Sequence, residues 1–288
     1  MSNLNDYISA SNYIVFFGGA GVSTESGIPD FRSIDGLYNQ LWQYPPEMIL
    51  SHNFFKNRTA DFYKFYKKRL LHLDAQPNQA HLGLAALEKA GRLKAVITQN
   101  IDGLHQKAGS KNVLELHGSV WRNYCLDCKT DYEVAIITNA PDTHSCLKPE
   151  TDCEDFCASA RKCQRGVPKG TQGGADDAIA QKDRKQSLVL DGNEYSIPIC
   201  QCGGVIRPDV VLFDEPLDDD IMVAAMDHIA RADMLIIGGT SLGVYPAAGL
   251  LQVFRGERLV LINKSATHMD NAADLIIREN IGDVFAHL

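Results

Sequence analysis

The chain has 288 residues, 45% hydrophobic and 22% charged, the composition of a soluble globular protein with apolar surface for a large core. Its length fits two domains, or one large α/β domain with an inserted module. A net charge of −8 repels a phosphate backbone, which argues against nucleic acid as the partner.

Residues 1–10 carry no basic n-region and no apolar h-region, so no export signal is expected and the chain is placed in the cytoplasm. The first apolar run, 13–17, reads as a strand buried on both faces. It leads into Gly18-Gly19-Ala20-Gly21-Val22-Ser23. Small residues there let a backbone approach a pyrophosphate, with amide N–H groups and a following helix N-terminus complementing the charge. A strand-to-helix turn without a ligand is the plain alternative. The run is not the dehydrogenase fingerprint: Thr24 stands where a third glycine is needed, and no acidic residue ends an evident second strand. The chain continues instead as Ser26-Gly27-Ile28-Pro29-Asp30-Phe31-Arg32. Pro29 stiffens the loop, and Phe31 and Arg32 suit a stacked ring and an anionic ligand.

Aromatic residues at helical spacing predict a helix over 54–71, and a second over 80–90 comes after the Pro77-Asn78 break. The strand at 93–98 ends in Gln99-Asn100-Ile101-Asp102-Gly103-Leu104-His105. Polar groups at the carboxyl end of a parallel strand face the ligand crevice, although Asn and Asp also cap loops that bind nothing. The next strand, 113–116, ends in His117-Gly118. If the two strands are neighbours, His117 stands beside Asn100 and Asp102, where an imidazole can take a proton from a hydroxyl. His81 and His105 read as a helix-start residue and a packing residue.

All eight cysteines lie between Cys125 and Cys202. Cys125-x-x-Cys128 and Cys200-x-Cys202 form two knuckles, which together give a closed four-thiolate zinc site of structural type. A redox Cys-x-x-Cys is the competing reading, but no thioredoxin-like pattern surrounds it. Cys146, Cys153, Cys157 and Cys163 form either a second zinc site or four reduced thiols; their spacing matches no compact knuckle pair. Around them, from 129 to 199, the periodicity degrades, and 167–186 reads as a flexible loop because it has few large apolar groups.

A third helix is predicted over 217–231 and three more strands over 234–237, 259–263 and 275–277. Residues 234–254 carry no charge over a span-like length, but Gly238, Gly239, Thr240, Ser241, Gly243 and Pro246 interrupt them. They read as a strand, a loop and a buried helix start, not as a membrane span. The alternation of strand and helix predicts an α/β fold: a doubly wound parallel Rossmann-like sheet with a smaller inserted zinc-binding module.

Together these residues resemble the sirtuins, the NAD-dependent protein-lysine deacylases. The matching runs are Gly19 to Ser23 with Ser26 to Arg32, Thr98 to Asp102, His117-Gly118, the two knuckles, Arg207 to Phe213, Gly239 to Leu242, and Asn263, in the family's order. The resemblance implies one catalytic domain over 1–288. Within it 1–120 and 205–288 form the NAD-binding part, and 121–204 form a zinc module enlarged by an insertion at about 138–192. It implies that Gly19, Ala20, Gly21, Thr24, Arg32, Gln99, Gly239, Thr240, Ser241, Asn263 and Ile281 hold NAD. Phe31, Ile101 and Asp102 then line the nicotinamide pocket, His117 is general base on the ribose hydroxyls, and Asn100 orients them. Cys125, Cys128, Cys200 and Cys202 hold zinc. Val211, Phe213, Tyr63 and Tyr66 border the acyl-lysine, whose peptide pairs as a strand.

The implied products are nicotinamide, free lysine and an O-acylated ADP-ribose. The implied partners are acyl-lysine proteins, met by a monomer with no direct nucleic acid and no membrane. Two departures stand out: Gly18 replaces a common threonine, and Asp214 stands where glycine commonly follows Phe213. A subgroup that removes acidic acyl groups carries Tyr-x-x-Arg, whereas this chain has Tyr63-Lys64-Phe65-Tyr66, so acetyl or another neutral acyl group is expected. The alternatives are a protein mono-ADP-ribosyltransferase on the same fold and a non-enzymatic NAD or ADP-ribose sensor; a sensor has no need of a general base.

Overall fold

A computed structural model describes residues 2–138 and 197–288. Cys146, Cys153, Cys157 and Cys163 and the loop expected over 167–186 lie outside the described residues. In chain order the elements are α1 (Ser2–Ala10), β1 (Ile14–Gly18), α2 (Pro46–Ile49), α3 (His52–Asn57), α4 (Thr59–Arg69), α5 (Gln79–Lys89), β2 (Leu93–Thr98), α6 (Leu104–Ala108) and β3 (Val113–Glu115). Next come β4 (Gly118–Cys125), β5 (Asp131–Glu133), α7 (Ala135–Thr138), β6 (Ile206–Val210), α8 (Asp219–Arg231), β7 (Met234–Gly238), β8 (Arg258–Ile262), β9 (Leu275–Ile277) and α9 (Ile281–Ala286). No helix among the described residues is long and apolar enough to cross a membrane.

The chain divides into two compact units. The first comprises Met1–Gln43, His72–Val120 and Glu215–Leu288. Its sheet has six parallel strands in the order β3-β2-β1-β7-β8-β9. Every residue of β1 and of β7 is buried, as continuous apolar runs require when helices cover both faces. Alternation along the strands feeds two cores. Ile14, Phe16, Met234, Ile236, Val260 and Ile262 join Leu4 and Ile8 of α1, Leu84 of α5 and Phe285 of α9 on one face. Val15, Phe17, Leu235, Ile237 and Leu261 join Ala225 and Ile229 of α8 and Leu250 of a 3-10 helix on the other. This is the expected doubly wound sheet, with all six predicted strands present within a residue or two at their ends.

The order also fixes where a ligand can enter. The chain winds outward through β1, β2 and β3, then crosses to β7, β8 and β9, so the winding reverses between β1 and β7. There Gly18 is in register with Gly238 on one side and Thr98 on the other, which brings the loops after these strands to one edge.

Between α5 and α6, His81 and His105 are buried with ring centroids 4.7 Å apart. His81 Nε2 and both nitrogens of His105 have no hydrogen-bond partner among the described residues. Burial lowers His81 to about 4, against the opposing pull of Asp102, and burial with the neighbouring His81 lowers His105 to about 3. Both rings fold neutral and titrate near 6.5 when unfolded. Their contribution is therefore complete above pH 6.5 and is lost as pH falls toward these values. Denaturant titrations should show the fold weakening by about 2 kcal/mol per ring between pH 7 and pH 5. A His105→Phe variant should lose about half of that slope, and an unchanged slope would contradict the assignment.

The second unit comprises Tyr44–Leu71 and Trp121–Asp214. It holds a three-stranded sheet, β5-β4-β6, whose short, partly polar strands have no continuous apolar signal in the sequence. It is larger than the segment 121–204 set apart by the cysteines, because an aromatic cluster joins α3 and α4 to β6. Phe55 meets Phe62 edge-on at 4.9 Å, and Phe62 stacks on Tyr66 at 5.5 Å. The Tyr63 hydroxyl donates to the Ile206 carbonyl, and the Arg207 guanidinium lies 5.5 Å over the Phe55 ring. The single helix expected over 54–71 is two helices, broken at Arg58 (φ −138°). The polar residues beside the break bond back into α3: Asn57 Nδ2 donates to the Asn53 carbonyl and Thr59 Oγ1 to the Phe55 carbonyl.

Candidate active site and metal centre

Two glycine loops meet at the edge between β1 and β7. Gly239 has φ +59°, and a β-carbon there would stand 2.4 Å from Val22 N. One on Gly21 would stand 2.8 Å from Gly239 Cα, and one on Gly19 would stand 2.8 Å from Thr240 Cβ. These glycines therefore serve contact between two backbones. Their amides are engaged within the protein: Gly19 N–H donates to Gly238 O (3.2 Å), Gly21 N–H to Gly239 O (2.8 Å), Val22 N–H to Gly19 O (3.0 Å) and Ser23 N–H to Ala20 O (3.1 Å). No helix N-terminus comes next. Two 3-10 turns, Ala20–Val22 and Thr24–Ser26, stand in its place. Side chains at the same edge add charge complementarity to the loop. Thr24, Arg32 and Ser241 are exposed, with Arg32 Nη1 donating to Ser241 Oγ at 2.9 Å. A cation with hydroxyl donors at a strand-edge switch point fits a pyrophosphate.

Deeper in the edge the polar groups hold one another. Gln99 Nε2 donates to Thr240 Oγ1 (3.1 Å), while Thr240 N–H donates to Asn263 Oδ1 (3.0 Å) and Asn263 Nδ2 to Thr240 O (2.9 Å). Asn100 is buried, and its Nδ2 donates to Ser23 Oγ at 3.0 Å. Ser23 Oγ in turn donates to Asp102 Oδ2 at 2.6 Å, and Asp102 Oδ1 accepts from Leu104 N–H at the start of α6 (2.9 Å). Sequence reasoning gives Ser23 no role beyond the glycine-rich run, because its link to Asp102 spans 79 positions and no local pattern reveals it. Ile101 is half-buried beside them. Phe31 is also half-buried, its ring edge-on to Tyr38 at 5.6 Å. Ile281 is buried at the start of α9 and fills the space that a side chain on Gly238 would need.

His117 comes after β3, the neighbour of β2, as the order of strands in the sequence suggests. Its Nδ1 lies 2.9 Å from the Gln99 carbonyl oxygen. A carbonyl only accepts, so Nδ1 carries the proton and Nε2 keeps its lone pair. Burial lowers the His117 pKa from 6.5, partly opposed by the same carbonyl. A neutral imidazole with a fixed tautomer is the form a general base requires.

In the second unit, the sulfur ligand atoms of Cys125, Cys128, Cys200 and Cys202 all lie within 4.8 Å of one another. The Cys125–Cys202 and Cys128–Cys200 separations are 3.4 and 3.6 Å. Tetrahedral zinc with Zn–S near 2.3 Å sets sulfurs roughly 3.8 Å apart, so the donor set fits zinc. Gly204 closes the second knuckle against Cys125, where a β-carbon would stand 2.7 Å from the sulfur.

Val211 is half-buried, and Phe213 is exposed, with its backbone bound on both sides to the start of α3. Phe213 N–H donates to Leu50 O (2.8 Å) and His52 N–H to Phe213 O (3.0 Å). Asp214 has φ +71°, the left-handed conformation that glycine favours, which accounts for glycine being common at this point of the pattern. Tyr63 and Tyr66, expected along the acyl channel, are 0% and 1% exposed inside the aromatic cluster. Their rings pack against Phe55, Phe62 and each other.

A doubly wound α/β unit with a polar strand-edge site, in one chain with a unit bearing four metal-ligating cysteines, defines the class. A family model for the Sir2 family matches residues 19–246. The NAD-dependent protein deacetylase of Clostridium perfringens (strain 13 / Type A) is 48% identical over 287 residues, 99% of this chain and 96% of that protein. A solved Sir2 structure with p53 peptide and NAD+ has a TM-score of 0.72 at 33% identity, covering 100% of this chain and 96% of that one. Another, with 2'-O-acetyl-ADP-ribose and deacetylated p53 peptide, has a TM-score of 0.70 at 32% identity with the same coverage. The chain belongs to the Sir2 family.

Proposed function

We infer that the chain is an NAD-dependent protein-lysine deacetylase that releases nicotinamide, free lysine and O-acetyl-ADP-ribose. The observation that carries this reading is the neutral His117 anchored on the Gln99 carbonyl, with the Asn100–Ser23–Asp102 network beginning at the next residue of the chain. Bound NAD supplies a ribose carbon that becomes electrophilic as nicotinamide leaves. Arg32, Thr24, Thr240, Ser241 and Asn263 hold the phosphates and adenosine side, with Ala20, Gln99 and the paired glycine loops beneath them. Phe31, Ile101 and Asp102 line the nicotinamide pocket. Asn100 orients a ribose hydroxyl, and His117 Nε2 takes its proton; the Gln99 carbonyl steadies the resulting imidazolium through Nδ1. Val211 and Phe213 border the acyl-lysine. Zinc on the four cysteines supplies folding energy and takes no part in the reaction. Reduced thiolates suit the cytoplasm, where this reading places the enzyme; a monomer-sized particle by light scattering would support its action as a single chain.

The acyl group is neutral. Tyr66 stands at the position where the acidic-acyl subgroup has arginine, and its buried hydroxyl has no hydrogen-bond partner among the described residues. A succinyl carboxylate there would be desolvated without a cation. On one peptide sequence, acetyl-lysine should be cleaved roughly 100-fold faster than succinyl-lysine, several kcal/mol of unpaired charge being more than enough for that ratio. Faster desuccinylation would overturn the assignment.

A further inference from the structure

Asn78 caps α5, and two of its contacts are the local ones a cap makes. Its Oδ1 accepts from Ala80 N–H at 2.9 Å, and its own N–H donates to His81 Nδ1 at 3.3 Å. The side-chain amide does something else. Nδ2 donates to Val22 O at 2.8 Å and to Ser26 Oγ at 3.1 Å, across 56 and 52 positions of sequence.

Those two acceptors bracket Ser23 and Thr24. The backbone between them is held by short-range bonds: Val22 N–H to Gly19 O, Ser26 N–H to Ser23 O and Gly27 N–H to Thr24 O, each 3.0 Å. Single 3-10 turns have poor hydrogen-bond geometry and do not fix their own placement. Yet Ser23 must stand within 3.0 Å of Asn100 Nδ2 and 2.6 Å of Asp102 Oδ2. Glu25 secures one side of the segment, its Oε2 accepting from Gly282 N–H at 2.7 Å. Asn78 secures the other side, linking α5 to the segment.

We propose that Asn78 is a positioning residue for the NAD site: its amide holds the turns at Val22–Ser26 where Ser23 meets Asn100 and Asp102, and thereby sets affinity for NAD. This rests on reading the strand edge as that site. Asn78 touches no reacting atom, so its effect falls first on NAD binding and reaches the chemical step only through Ser23 and Asn100.

Asn78→Asp separates the two roles. A carboxylate caps a helix as well as an amide does, but it cannot donate to Val22 O. The variant should keep its zinc, and α5 should stay as protected from amide hydrogen exchange as in the wild type. Exchange across 19–28 should be faster. By calorimetry, NAD should bind about ten-fold more weakly, about 1.4 kcal/mol. KM for the peptide should be unchanged, and kcat at saturating NAD should fall less than NAD affinity does, since kcat reports the tie only through Asn100. Asn78→Ala, which removes the cap as well, should also speed exchange in α5. Wild-type exchange over 19–28 together with wild-type NAD affinity in Asn78→Asp would overturn the proposal, as would equal weakening of NAD and peptide. Wild-type protein that fails to bind NAD would instead bring down the reading of the site itself.

Discussion

Replacing His117 with alanine is expected to lower kcat/KM for deacetylation by about 100- to 10,000-fold, the usual contribution of a positioned general base. Zinc content and thermal stability should change little, since His117 lies just past a short strand and its side chain hydrogen-bonds the Gln99 backbone. The pH profile carries a second reading of the same residue. The base works unprotonated, so kcat/KM should be flat above pH 6.5 and fall only as pH drops through the lowered pKa of His117. An acid limb centred above 7, or an alanine variant with near-normal turnover, would remove His117 from the mechanism.

The second large effect concerns the cysteines. Cys125 is fully buried, and its sulfur lies 3.4 Å from that of Cys202. Structural zinc on four thiolates supplies roughly 10–16 kcal/mol of apparent binding energy, as much as the whole stability of an ordinary domain, about 5–15 kcal/mol. Cys125→Ser should therefore abolish zinc binding and unfold the second unit, seen as rapid proteolysis within 121–214 and loss of deacetylation. The residues proposed to hold NAD all belong to the first unit, so the variant should still bind ADP-ribose. A Cys125→Ser protein that loses its zinc yet keeps full activity would contradict the structural role. Metal analysis bears on the remaining thiols too: a count of two ions per chain would bring Cys146, Cys153, Cys157 and Cys163 into the metal chemistry.

Physical reasons separate the legible features from the hidden ones. β1 and β7 are continuous apolar runs because both their faces are covered, and such runs stand out in a sequence. The knuckles stand out because the chemistry of four thiolates dictates their spacing. His117 can be placed because its strand lies next to β2, so that adjacency in sequence order becomes adjacency in space. The glycine loop is legible as the right residues, but its local physics is not. Gly19, Gly21 and Gly239 pack one loop on another, which needs a partner more than two hundred positions away and cannot be read from either loop alone. Ser23 and Asn78 stay hidden for the same reason: their side chains look like ordinary turn and cap residues until Asp102 and Val22 arrive beside them. Tyr63 and Tyr66 stand out as aromatic residues at helical spacing, and their burial in the aromatic core follows from that spacing.

In this reaction NAD is consumed, one molecule for each acetyl group removed, and the acetyl group passes to ADP-ribose. A peptide bearing an isotopically labelled acetyl-lysine, incubated with the zinc-loaded protein and NAD and followed by mass spectrometry, tests it most directly. The labelled acetyl group should appear on ADP-ribose, with nicotinamide and free lysine formed in equal amounts. Labelled free acetate with NAD left intact, or ADP-ribose attached to protein with the lysine still acetylated, would contradict it.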